Sequence, residues 1–200
     1  MILHSSPASP FGRKIKIAAT MLGLFDELEI VMTDTNDPSD VIRTRNPLGK
    51  IPALVLDDGQ VLFDSTVILD YLDHRAGGDL IVPATPDRRY RVLTEAALAD
   101  GLADAALLQV YEARFRDEAH RDPKWVAYQA DKVERALAFF EATQPQEGLR
   151  SVADIGLACA LGYLDLRFAG TWREGYPKLV AWLDRFAAEV PAFEATRLKS

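Results

Sequence analysis

Three short stretches of this 200-residue chain carry residue types that could do chemistry together. The first is Ser9-Pro10-Phe11-Gly12-Arg13. A serine followed by a proline at the first helical position is a preferred helix start, so Ser9 is an N-cap candidate. A group held there faces unpaired N–H groups and the positive end of the helix dipole, which favour an anion. A thiolate at that place would have a lowered pKa. Ser9 has no obvious base beside it, and the chain has no Gly-x-Ser-x-Gly elbow. Its expected role is therefore to donate a hydrogen bond to a sulfur anion, not to act as the nucleophile. The size fits. A thiol titrates near about 8.5 and each unit of lowering needs about 1.4 kcal/mol, while one charge-assisted hydrogen bond supplies roughly 1.5 to 3 kcal/mol. Ser5 and Ser6 compete for this role, with Ser6 the runner-up.

The second stretch is Lys50-Ile51-Pro52. A proline heading a strand cannot donate a ladder hydrogen bond. A cis bond there would turn the Ile51 backbone outward, to pair with a peptide laid alongside as an extra strand. A plain strand-initiating proline is the simpler reading of these residues alone. The third stretch is Asp64-Ser65, at an expected helix start. The Ser65 hydroxyl and N–H suit a carboxylate, and Asp64 suits an ammonium group, so together they could hold an α-amino acid head. Here too an ordinary helix cap is the commoner explanation.

The elements that must position these stretches read as follows. Met1 to His4 is a strand candidate. Ile15, Ala18, Ala19 and Leu22 repeat at helical spacing from Pro10 until Gly23. Leu28 to Met32 is a second strand, and Asp37-Pro38-Ser39 opens a short helix ending near Arg45. Pro52 to Leu56 and Val61 to Phe63 flank Asp57-Asp58-Gly59-Gln60, a hairpin signal. A helix carrying Ile68, Tyr71, Leu72 and Arg75 follows. The order is β-α-β-α-β-β-α. Residues 1–78 then form an α/β domain, 79–86 a linker with Pro83 and Pro86, and 87–200 an all-helical domain. Its expected helices are Arg88 to Arg116, Pro123 to about Ala142, one after Ser151-Val152-Ala153-Asp154, and Pro177 to Ala188. Gln144 to Arg150 reads as a loop. The helix after Ser151 starts with a capping-box pattern and is apolar nearly all round, so it should be buried. Cys159 lies within it and reads as a core residue.

Composition narrows the function. The net charge of -7 disfavours nucleic acid and anionic membranes as partners. One cysteine excludes an intrachain disulfide, and His4, His74 and His120 show no metal-ligand spacing. No apolar run is long enough to span a bilayer and the start does not read as a signal peptide, so a cytoplasmic location is expected.

Taken in order, Ser9-Pro10-Phe11-Gly12-Arg13, Asn46-Pro47-Leu48-Gly49-Lys50-Ile51-Pro52 and Asp64-Ser65 resemble the cytosolic glutathione S-transferase superfamily, in particular its bacterial serine-type members. Ser151-Val152-Ala153-Asp154-Ile155 is similar too. The resemblance implies a thioredoxin-like first domain, an all-α second domain and a homodimer. It also implies glutathione as co-substrate, with a small hydrophobic electrophile as its partner. By position, Lys50 would meet the glycine carboxylate and Ile51 the cysteinyl backbone, with Pro52 cis. Asp64 and Ser65 would hold the γ-glutamyl end, and Ser9 the sulfur. Phe11, Leu107, Tyr111 and Arg114 are candidates for the electrophile site by spacing. Asp100 and Asp104 would reach across the dimer. Gly12 stands where redox relatives carry a second cysteine, so disulfide exchange is not expected. A non-catalytic binding module of the same fold, or a glutathione-dependent peroxidase or isomerase, remains an alternative.

Overall fold

The computed structural model describes residues 1–144 and 150–198. Most of the expected loop from Gln144 to Arg150 falls outside them. Four strands, β1 (Ile2–Ser5), β2 (Glu29–Met32), β3 (Ala53–Val55) and β4 (Val61–Leu62), form one sheet in the order β2-β1-β3-β4. β1 pairs parallel with β2, and antiparallel with β3, which pairs antiparallel with β4. Helices α1 (Pro10–Met21), α2 (Ile42–Arg45) and α3 (Ser65–Arg75) complete the thioredoxin-like half. Among the described residues five α-helices follow: α4 (Pro86–Phe115), α5 (Pro123–Thr143), α6 (Val152–Phe168), α7 (Pro177–Glu189) and α8 (Ala192–Ala195).

Leu3 and Leu54 face each other across β1 and β3, and both are fully buried. They join Ile15 of α1 and Ile68 and Leu72 of α3 in a common core. Burying each such side chain contributes about 1.5–3 kcal/mol. α6 packs against both α1 and α4, which is why it is apolar on nearly every face. Its capping box closes as the sequence suggests. Ser151 Oγ accepts from the Asp154 N–H, and Asp154 accepts from the Ser151 N–H at 2.8 Å.

Two elements depart from expectation. α2 begins at Ile42 rather than at Asp37, because Asp37 closes its own turn onto Ser39 and Asp40 caps the Ile42 N–H. α8 was not anticipated. It is a single turn after Pro191, held by burial of Ala192 and Phe193 rather than by local propensity. Between α3 and α4, Asp73 accepts from the N–H groups of Leu80 and Ile81, while Ile81 and Val82 are buried.

Candidate functional site

The sheet register brings the chemistry-bearing stretches to one end of the molecule. His4 lies opposite Ala53, and Leu54 opposite Leu62. The chain leaving β1 toward Ser9, the chain entering β3 through Ile51-Pro52, and the chain leaving β4 into Asp64-Ser65 therefore meet at the same edge. The Ile51–Pro52 and Phe63–Asp64 peptides are both cis. Asn46 is buried and braces the loop before β3: its side chain donates to the Lys50 carbonyl at 2.8 Å and accepts from the Leu48 N–H at 3.0 Å. Lys50 itself stays exposed.

Ser9 is the N-cap of α1, and its Oγ accepts from the Gly12 N–H at 3.1 Å. No acidic residue stands in the first turn, so the dipole end there is not neutralised. Ser6 contributes its carbonyl, which accepts from the Ser9 N–H. The Ser5 hydroxyl is buried, has no hydrogen-bond partner among the described residues, and lies 2.1 Å from where a Gly12 Cβ would be. A side chain at position 12 would collide with it. At the start of α3, Asp64 is the N-cap and accepts from the Thr66 N–H at 2.9 Å, with Ser65 buried beside it.

α4 supplies the facing wall. Lys14 of α1 is buried and pairs with Asp100 at 2.5 Å within the same chain. Desolvation raises the Asp104 carboxyl pKa, Asp100 adds to the rise, and Lys50 and Lys14 oppose it. Lys50 and Asp104 thus lie within electrostatic reach of one another. Sequence spacing had paired Asp100 and Asp104 with each other, but not with Lys14 or Lys50.

The candidate electrophile residues divide. Phe11 lies beside Lys14, whose Nζ stands 5.4 Å from its ring centre. Leu107 is partly buried in the core. Tyr111 and Arg114 lie farther along α4, with the Arg114 guanidinium 5.5 Å from the Tyr111 ring centre. From Asp100 to Tyr111 the helix rises about 16.5 Å, and Tyr111 and Arg114 there come within electrostatic reach of Tyr163 on α6. A cavity of about 440 Å³ opens between the Ser9 turn and α6, lined by Ser9, Arg13, Tyr163, Asp165, Leu166 and Arg197 among others. Arg13 and Tyr163 were missed by sequence reasoning. The signal for Arg13 was a cation four residues after the cap, entering an apolar helix face; nothing local marked Tyr163.

Comparison with known proteins agrees with this fold. Residues 3–79 match the family description "Glutathione S-transferase, N-terminal domain", and residues 96–185 match "Glutathione S-transferase, C-terminal domain". A protein of Escherichia coli strain K12 described as "Uncharacterized GST-like protein YibF" is 33% identical, over 90% of each chain. A maleylacetoacetate isomerase of Pseudomonas aeruginosa is 30% identical, over 96% of this chain and 93% of the relative. A glutathione transferase family member from Pseudomonas fluorescens Pf-5, solved with bound glutathione, superposes with a TM-score of 0.93 at 40% identity, covering 100% of this chain and 99% of that one.

Proposed function

Because this chain belongs to the glutathione S-transferase superfamily, we propose that it binds glutathione, stabilises the thiolate and conjugates it to small electrophiles. The observation that carries the reading is the convergence of the Ser9, Ile51-Pro52 and Asp64-Ser65 stretches at one sheet edge. In this reading residues 1–78 hold glutathione, 79–86 link, and 87–200 supply the acceptor wall. Lys50 receives the glycine carboxylate, and the Ile51 backbone pairs with the cysteinyl residue beside Pro52. Asp64 and Ser65 hold the γ-glutamyl head, and the Ser9 hydroxyl donates to the sulfur. The first-turn N–H groups of α1 and the absence of an acid there add to the preference for the anion. Sulfur then bonds to the electrophilic carbon and the displaced group leaves with its electron pair. The working form is a homodimer in the cytoplasm, in which Asp104 stands ready to meet the partner's glutathione.

Calorimetric titration with glutathione tests the binding. The expected dissociation constant lies in the range of about 1 μM to 1 mM typical of substrates. No heat and no thermal stabilisation at millimolar glutathione would sink the reading. The likeness to a maleylacetoacetate isomerase favours a second reading, in which the same thiolate adds to a double bond and leaves again after rotation. Glutathione-dependent cis–trans isomerisation of an activated alkene, without net conjugate, would decide for it.

A further inference from the structure

Arg13 is a buried cation beside Ser9, 7% exposed, and burial lowers its pKa. Its guanidinium donates to the Phe193 carbonyl and, at 3.2 Å, to the Thr196 hydroxyl, and lies 4.1 Å from the Phe193 ring centre. All of these partners are neutral. Among the described residues no carboxylate lies within ion-pair distance of it. The two nearby acids are taken: Asp165 by Arg173 and the Trp172 N–H, and Glu194 by Arg197. Gly162 on α6 makes room for the guanidinium, since a Cβ there would stand 2.5 Å from Arg13 Nη1. A buried cation without a counter-ion is costly unless something anionic meets it.

Two further arginines stand by the same wall. Tyr163 lines the cavity, and the Arg167 guanidinium lies 5.7 Å from its ring centre. Arg114, over Tyr111, comes within electrostatic reach of Tyr163. Arg114 and Arg167 are exposed and, among the described residues, neither has a carboxylate at ion-pair distance. In a chain of net charge -7, Arg13 lines this cavity and Arg114 and Arg167 flank its Tyr163, and among the described residues none of the three has a carboxylate at ion-pair distance. This bears on which acceptor the proposed transferase takes, and it rests on that reading.

We propose that the acceptor carries a carboxylate, received by Arg114 and Arg167 at the Tyr163 wall, with Arg13 supplying positive potential from inside the Ser9 cavity. A purely hydrophobic electrophile would bring no counter-charge to any of the three.

Two glutathione thioethers of the same size and shape provide the test: S-(4-carboxybenzyl)glutathione, charged at the tip, and S-(4-nitrobenzyl)glutathione, neutral there. Binding is measured by calorimetry, so turnover is not needed. The carboxylate compound should bind about ten-fold tighter, the size of one charge-assisted contact partly screened by water. That ratio should fall close to one in Arg114→Ala/Arg167→Ala and be partly restored by Arg114→Lys/Arg167→Lys. A ratio near one in the wild type, or one that survives the double alanine variant, overturns the inference. Plain glutathione is the control: if it binds while the ratio is near one, only the inference fails. If it does not bind, the glutathione reading fails and takes the inference with it.

Discussion

α1 and α3 begin at the same edge of the sheet, yet their caps are opposite in character. α1 is capped by a neutral hydroxyl, Ser9, half-buried beside a cavity, with Arg13 and Lys14 in the turn that follows. α3 is capped by an exposed carboxylate, Asp64. A neutral cap satisfies an N–H group without cancelling the dipole end, so that end stays available to an anion. A carboxylate cap cancels it and leaves a spare lone pair facing solvent, suited to a cation. In the proposed reading the two helix starts would divide a zwitterionic peptide between them: thiolate at one, ammonium at the other.

The most direct way to break the comparison is Ser9→Ala. If the hydroxyl stabilises sulfur, conjugation should slow on the order of 10²–10³-fold, as for loss of an oxyanion donor. Ultraviolet titration of enzyme-bound glutathione should show the thiol pKa moving up. An unchanged rate would leave α1 as a plain capped helix.

A third capped start, at α6, provides a structural control. Here Ser and Asp sit together but buried, and burial raises the Asp154 pKa from 3.8 to about 6. A carboxyl raised above its unfolded value contributes stability that is complete below the unfolded pKa and lost as pH rises through the folded one. The unfolding free energy from urea melts should therefore fall from pH 4 to pH 7, by at most about 3 kcal/mol. Asp154→Asn should flatten that slope. A flat wild-type profile would mean that the Ser151 hydrogen bonds hold the carboxylate ionised after all.

Asp64→Asn sharpens the contrast at α3. Asparagine caps as well as aspartate does, so stability should hold within about 0.5 kcal/mol while glutathione affinity drops about ten-fold. Equal affinity would remove Asp64 from ammonium recognition.

The smallest effect is expected at Cys159. It lies in the cavity wall near Ser9, but burial pushes its pKa from 9.0 up to about 11. Iodoacetamide at pH 8 should leave it unmodified in the folded protein and alkylate it in urea. Rapid modification of the native chain would place a second reactive sulfur beside Ser9.

Much of this was legible in the residues because it depends on neighbours in the chain. Caps join a side chain to an N–H two or three residues on, so Ser9, Asp64 and Ser151 could be assigned as helix starts without any tertiary information. The hairpin around Gly59 and the apolar face of α6 are likewise local patterns of turn chemistry and burial. α2 was placed too early because two acidic residues, Asp37 and Asp40, both offer turn-closing oxygens, and only the folded loop selects between them. What tertiary structure alone decided are the meetings of residues far apart in sequence. Lys14 finds Asp100 on α4, and Lys50 comes within reach of Asp104. Arg13 reaches Phe193 and Thr196 of the last helical turn, through a gap kept open by Gly162. Each depends on how α1, α4, α6 and α8 pack, which local spacing does not encode. The chain by itself marked the three stretches proposed to hold glutathione; the packing of α6 against α1 built the cavity, with Arg13 in its lining, beside Ser9.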